Sequence, residues 1–100
     1  MVKHIILWKL KPELSDIQKA GVKNGAQRGL ESLKGNIEGL VDIKLIINPL
    51  ETSNCDMMLD STFESFSALK NYSVNPIHVE VANTKVRPFT AERVCMDFEI

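Results

Sequence analysis

The chain has 100 residues, 44% of them apolar and 25% charged, with a formal net charge of -1. That supports one small core, expected as a single domain over 1–100. It excludes the basic stripe that nucleic-acid binding needs, and no apolar run is long enough to span a bilayer. The opening Met1-Val2-Lys3-His4 lacks the layout of a signal peptide, and Cys55 and Cys95 stand far apart with no CxxC spacing. A cytoplasmic chain with reduced thiols, no metal and no cofactor is therefore expected, without nucleic-acid or membrane partners.

The first predicted strand, His4–Leu10, has Val2, His4, Ile6, Trp8 and Leu10 on one face and Lys3, Ile5, Leu7 and Lys9 on the other. Both faces are largely apolar, which predicts a central strand covered on both sides. Lys11-Pro12-Glu13 ends it, and a long helix is predicted from Glu13 to Lys34, with Leu14, Ile17, Val22, Ala26, Leu30 and Leu33 on its inward arc. Gly21, Gly25 and Gly29 fall near the middle of that arc. Each interior glycine costs on the order of 1 kcal/mol against alanine. They signal either close approach of the helix backbone or room for a ligand.

A half-buried strand follows, with Val41, Ile43, Leu45 and Ile47 on one face. A third strand over Cys55–Phe63 sets Met57, Leu59, Ser61 and Phe63 against Asp56, Met58, Asp60 and Thr62. Asp42, Asp56 and Asp60 read as solvated carboxylates rather than a cation site. Ser65 caps a short helix ending at Tyr72, and Asn75-Pro76 starts another that reaches Val86 before Arg87-Pro88. The last strand, Glu92–Ile100, places Val94, Met96, Phe98 and Ile100 on one face and Arg93, Cys95, Asp97 and Glu99 on the other. The order is α+β, a ferredoxin-like βαββ(αα)β antiparallel sheet. Its second face would carry Ile5, Leu7, Met58, Val94, Met96 and Phe98. That patch is too apolar for water, so a homodimer is expected in which two sheets face each other as a dimeric α+β barrel.

The most chemical stretch is Asn71–Val81. Tyr72 ends one helix and His78 lies in the first turn of the next, so the bend between them can bring phenol and imidazole to one side. A neutral imidazole can take a proton, and a phenol can stabilise a developing oxyanion. The residues alone leave a second reading open, in which His78 bonds locally and Tyr72 packs with its hydroxyl in water. If the first and last strands are antiparallel neighbours, a register with His4 opposite Asp97 puts Ile6 opposite Cys95 and Trp8 opposite Arg93. Asp97 would then hold the His4 tautomer, and Arg93 would lie over Trp8 as a cation–π pair.

The opening VKHIILWKLK, the FESFSALKNY after the third strand, the NPIHVEVANTKVRP segment and the closing RVCMDFEI together resemble the stress-responsive A/B-barrel (Dabb) family of the dimeric α+β-barrel superfamily. The resemblance covers nearly the whole chain. It implies a small homodimer with a pocket between sheet and helices in each subunit. Members of the olivetolic acid cyclase type use a Tyr/His pair for cofactor-free aldol chemistry, which matches Tyr72 as oxyanion donor and His78 as base; their opening-strand His matches His4. The chain departs where such members have a further His on the third strand (here Met57) and bulky aromatics on the long helix (here the glycines). Taken together, the expectation is a pocket for a small organic ligand bounded by His4, Ile6, Trp8, Leu59, Tyr72, His78 and Val81, with Gly25 and Cys95 at its wall and Asp97 supporting His4. The alternatives are a non-enzymatic, stress-associated binding or structural dimer and a cofactor-free monooxygenase-like enzyme.

Overall fold

Alternating apolar residues at the start of the chain form the centre of the sheet. In the computed structural model, which describes residues 1–100, Val2–Leu10 make strand β1. It is bonded on one side to β3 (Met57–Phe63) and on the other to β4 (Thr90–Glu99). Strand β2 (Leu40–Ile46) pairs with β3, so the antiparallel order is β2-β3-β1-β4. Helix α1 (Asp16–Glu31) crosses between β1 and β2, and α2 (Phe66–Val74) and α3 (Pro76–Val81) lie between β3 and β4. After α3 the chain widens into a π-helical turn, Ala82–Val86, and tightens into a 3₁₀ turn, Arg87–Phe89. This is the expected α+β, ferredoxin-like arrangement.

The inward face of β1, Val2, His4, Ile6, Trp8 and Leu10, is buried, as is the Met57, Leu59, Ser61 and Phe63 face of β3. Ser61 is tolerated there because its hydroxyl donates to the His4 carbonyl at 2.8 Å. Strand β2 departs from strict alternation. A register shift between Leu40 and Asp42 lets both Leu40 and Ile43 point inward, leaving Val41 half-buried.

Helix α1 starts later than predicted. Ser15 accepts from the Gln18 N–H at 3.1 Å and Gln18 Oε1 accepts from the Ser15 N–H at 2.8 Å, a reciprocal cap that fixes the first turn. Ile17 then stands outside, 87% exposed. At 100° per residue it lies about 180° from the stripe of half-buried Val22 and buried Ala26, Leu30 and Leu33. Losing Ile17 also moves the arc off the glycines. They border the stripe: Gly29 meets Val81 at the end of α3, a Cβ on Gly25 would lie 4.0 Å from the Lys85 side chain beyond it, and Gly21 faces open space. A Cβ on Gly21 would meet nothing within 4 Å, whereas one on Gly29 would sit 3.0 Å from Val81 Cγ1.

The loop into β2 depends on another glycine. Gly39 has φ +84°, and a Cβ there would lie 2.5 Å from the Ala68 Cβ, so conformation and space both demand glycine. The helices cover only one side of the sheet. On the other, Val94, Met96 and Phe98 are exposed, with Ile5, Leu7 and Met58 half-exposed beside them.

The glycine geometry sets a stability test by urea denaturation. Gly21→Ala is expected to raise stability by about 0.5–1 kcal/mol through helix propensity. Gly29→Ala should give no gain or a loss, because its methyl meets Val81. Equal gains at both positions would contradict the close approach of α1 and α3.

Candidate functional site

One residue separates α2 from α3. Asn75 is extended (φ -65°, ψ 128°), its backbone N–H donates to the Tyr72 carbonyl at 3.1 Å, and its side-chain oxygen accepts from the Ile77 N–H at 2.9 Å. It therefore ends one helix and caps the next, with Pro76 at the first helical position where no N–H is needed. The bend stacks the Tyr72 and His78 rings, centroids 4.0 Å apart at 28°. Phe63 meets Tyr72 edge-on at 4.8 Å and His4 does so at 6.2 Å, so the pair is braced from the sheet.

Tyr72 is 1% exposed, and neither its hydroxyl nor His78 Nδ1 has a protein partner. Both residues line a cavity of about 150 Å³ between helices and sheet. His4, Ile6, Trp8 and Leu59 form its floor, Leu30, Ala82 and Val86 its apolar wall, and the exposed Arg87 and Arg93 its charged side. Burial pushes the Tyr72 hydroxyl far above the ordinary phenol range, so it stays a donor at any physiological pH. Burial likewise pulls His78 below the ordinary histidine value of about 6.5, aided by Arg87 and opposed by the carbonyls of Tyr72 and Ser73. A base depressed in the fold binds fewer protons than in the unfolded chain. Its contribution to stability is therefore complete above about pH 6.5 and shrinks as the pH falls through the window down to the folded value. The arrangement presents a neutral proton acceptor and a neutral hydrogen-bond donor side by side in a cavity lined mainly by apolar side chains.

The structure brings His4, Ile6, Trp8, Leu59, Tyr72 and His78 together as the spacing and resemblance implied. Three expected residues lie elsewhere. Val81 turns to Gly29, because α3 is rotated so that Ala82 and Val86 face the cavity instead. Gly25 borders a separate open cleft of about 410 Å³ between α1 and the Thr84–Phe89 segment. Cys95 is exposed on the edge strand, outside the cavity wall. Partial burial and the Asp97 carboxylate push its thiol above the ordinary range, which does not make a nucleophile. The lining residues missed were the apolar Leu30, Ala82 and Val86 and the polar Ser73, Arg87, Thr90 and Arg93. Arg93 followed from the register opposite Trp8, but no periodicity announces the π-helical turn that positions Arg87.

The β1–β4 register is the expected one: His4 faces Asp97, Ile6 faces Cys95 and Trp8 faces Arg93. His4 Nδ1 lies 2.5 Å from Asp97 Oδ1. The expected Arg93–Trp8 cation–π contact does not form; the chain's one such contact sets Lys70 over Phe66 at 5.4 Å. The three aspartates do not converge: Asp60 pairs with Lys3 at 2.7 Å, Asp42 with Lys34 at 3.1 Å, and Asp56 accepts from the Leu10 N–H. No helix is long and apolar enough to cross a membrane.

The family model described as the stress responsive A/B barrel domain matches residues 2–100. Among solved structures, a dimeric protein of unknown function and ferredoxin-like fold from Bacteroides fragilis superposes with a TM-score of 0.92 at 27% identity, covering 99% of this chain and 95% of that one. A dimeric ferredoxin-like protein of unknown function from Thermobifida fusca gives 0.78 at 19% identity, covering 99% and 90%. The hydroxynitrile lyase of Passiflora edulis gives 0.74 at 20% identity, covering 99% and 92%. The last two likenesses concern the fold alone. No curated protein matches the chain in sequence.

An unpartnered buried hydroxyl costs folding free energy, on the order of 1 kcal/mol or more. Tyr72→Phe is therefore expected to leave the protein as stable or up to about 1 kcal/mol more so, raising Tm by several degrees in a domain of this size. A calorimetric loss of about 1 kcal/mol would mean that the hydroxyl holds a partner, such as an ordered water, and is not free to receive a ligand.

Proposed function

The chain belongs to the stress-responsive A/B-barrel domain family, and on that footing we propose that it is a homodimer whose cavity binds a small carbonyl compound and moves a proton on it without a cofactor. His78 is the base and Tyr72 donates to the oxygen that gains charge. The observation carrying this reading is the pair of unpartnered buried polar atoms, Tyr72 Oη and His78 Nδ1, on stacked rings in one cavity. Buried polar atoms are almost always bonded, so two orphans side by side suit a ligand that completes them.

The cavity's size limits that ligand. A space of about 150 Å³ accepts a molecule near the size of benzene. With Ile6, Trp8 and Leu59 around one part and Arg87 and Arg93 on another, a small ring or short chain carrying a carbonyl fits the lining. Proton removal next to that carbonyl leaves an enolate, and a phenol held neutral by burial can donate to its oxygen without first losing a proton of its own. Exclusion of water strengthens that bond. Asp97 supports His4 rather than acting on the ligand.

The dimer is supported by the uncovered sheet face. Met96 is 67% exposed and Val94 62%, in a patch with Phe98, Ile5 and Leu7. Fold neighbours from Bacteroides fragilis and Thermobifida fusca are dimeric proteins. A second copy laying the same patch against this one would remove it from water at roughly 25 cal/mol per Å².

Two measurements test the proposal. Sedimentation of the wild-type chain should give a dimer, and Met96→Glu should weaken association at least tenfold while α1 and the cavity remain folded; a wild-type monomer at micromolar concentration would sink the dimer. For the chemistry, solvent deuterium incorporation into acetophenone-type ketones and small β-diketones can be followed by NMR. His78→Gln and Tyr72→Phe should each slow it by about 100-fold or more. The rate should hold through the ordinary histidine range and fall only at lower pH, because burial keeps His78 unprotonated until then and protonated His78 cannot act as a base. Exchange no faster than buffer, or unchanged in His78→Gln, would overturn the catalytic reading.

A further inference from the structure

At the edge of the cavity, the β1–β4 register assembles a second group of functional atoms, with His4 shared between the two. His4 Nδ1, Cys95 Sγ and Asp97 Oδ1 all lie within 4.8 Å of one another. The individual separations are 2.5 Å for His4 to Asp97, 3.7 Å for Cys95 to His4 and 3.6 Å for Cys95 to Asp97. We infer that these three side chains form a binding site for one thiophilic divalent cation of the zinc class, with its remaining position open to solvent.

Donor chemistry and spacing both carry this. Imidazole, thiolate and carboxylate together are a borderline-soft set, which suits zinc and disfavours magnesium or calcium. Around a tetrahedral zinc with ordinary bond lengths, the ligand atoms stand about 3.3 Å apart for N and O and about 3.5 Å apart for either with S. Both sulfur separations already lie within a few tenths of an ångström of that. Only the His4–Asp97 separation is too short, and what occupies it is a proton. A carboxylate has no donor of its own, so the shared hydrogen is the imidazole's, on Nδ1. Opening that pair by somewhat under 1 Å makes room for a cation, and both strands are regular there, so a change of side-chain torsion is enough.

The site also has an entry path. His4 is buried, but the Asp97 side chain is 37% exposed and Cys95 lies on an edge strand open to solvent. Arg93 is the opposing charge on the same side of β4, two residues from Cys95. It repels a cation and stabilises a thiolate, and two anionic ligands outweigh it against a divalent ion. Binding balances simply. The thiol proton leaves to solvent, the metal bonds Sγ, Oδ1 and Nδ1, and the imidazole proton moves from Nδ1 to Nε2. Occupancy would thereby turn the second His4 nitrogen from acceptor to donor, in a residue that lines the cavity. This inference does not rest on the acid/base reading, since Cys95 and Asp97 are outside the cavity.

The test is titration of the reduced, full chain with cobalt(II), followed by competition with zinc. One cobalt per chain is expected, with the near-ultraviolet band of a cobalt–thiolate bond and the visible bands of a tetrahedral ion, all displaced by zinc. Cys95→Ser should abolish the thiolate band, and Asp97→Asn should weaken binding by about tenfold or more. Cys55→Ser should leave both unchanged, and far-ultraviolet circular dichroism checks that each variant is folded. Absence of the thiolate band, its persistence in Cys95→Ser, its loss in Cys55→Ser, or tenfold stronger binding of magnesium than of zinc would overturn the site.

Discussion

Strand β1 is bonded on both edges, and everything functional in the molecule follows from which of its side chains face the helices. The period of two sends Val2, His4, Ile6, Trp8 and Leu10 inward together. A slip of one residue would turn Lys3, Ile5 and Lys9 into the core and His4 into the opposite face. The alternation in β3 obeys the same register, and Leu59 arrives opposite Ile6 to complete the cavity floor. The pairing with β4 then decides what flanks that floor. It sets Arg93, Cys95 and Asp97 along its rim at the spacing of alternate residues.

The helices answer this floor with a polar pair that folding alone does not require. Asn75 and Pro76 break the helical run at one residue, and the break stacks His78 on Tyr72 over the sheet. Two uncharged groups are compatible with such burial where charged ones would not be. The same burial that leaves Tyr72 protonated keeps His78 unprotonated, so one environment assigns donor and acceptor. Leaving both atoms without a protein partner lowers stability, which is common where a site is held ready for something else. The π-helical turn that follows brings Val86 and Arg87 to the same space, and such turns are frequent at functional positions.

The two edges of the sheet are treated differently. Strand β2 is closed off by helix α1: the Leu45 carbonyl accepts from Gln27 at 3.0 Å and the Leu45 N–H donates to Glu31 at 2.9 Å. Strand β4 has no such cover, and its exposed apolar and polar faces lie back to back. The apolar face suits a second copy of the chain, while the polar face carries Cys95 and Asp97, which meet His4 of β1. Because they are on opposite sides of one strand, association and metal binding need not compete.

Local chemistry alone determined a good deal. The alternation in β1, β3 and β4, the Ser65 and Asn75 caps and the Pro76 position are written in neighbouring residues, so the strands, the uncovered face and the helix break between Tyr72 and His78 were legible, while the His4–Asp97 register followed only on the condition that the first and last strands are neighbours. The Ser15–Gln18 cap was legible too, and so was the side of Ile17, since 100° per residue sets it opposite Ala26 wherever the helix starts; counting it inward put the glycines in the wrong arc. What neighbours cannot specify is rotation and distance between elements. The turn of α3 that sends Val81 to Gly29 and Ala82 to the cavity depends on helix–helix packing, and so does the separate cleft beside Gly25. Likewise, that the Cys95 thiol lies under 4 Å from both His4 and Asp97 is a property of strand pairing across more than ninety residues, and only the folded sheet could decide it.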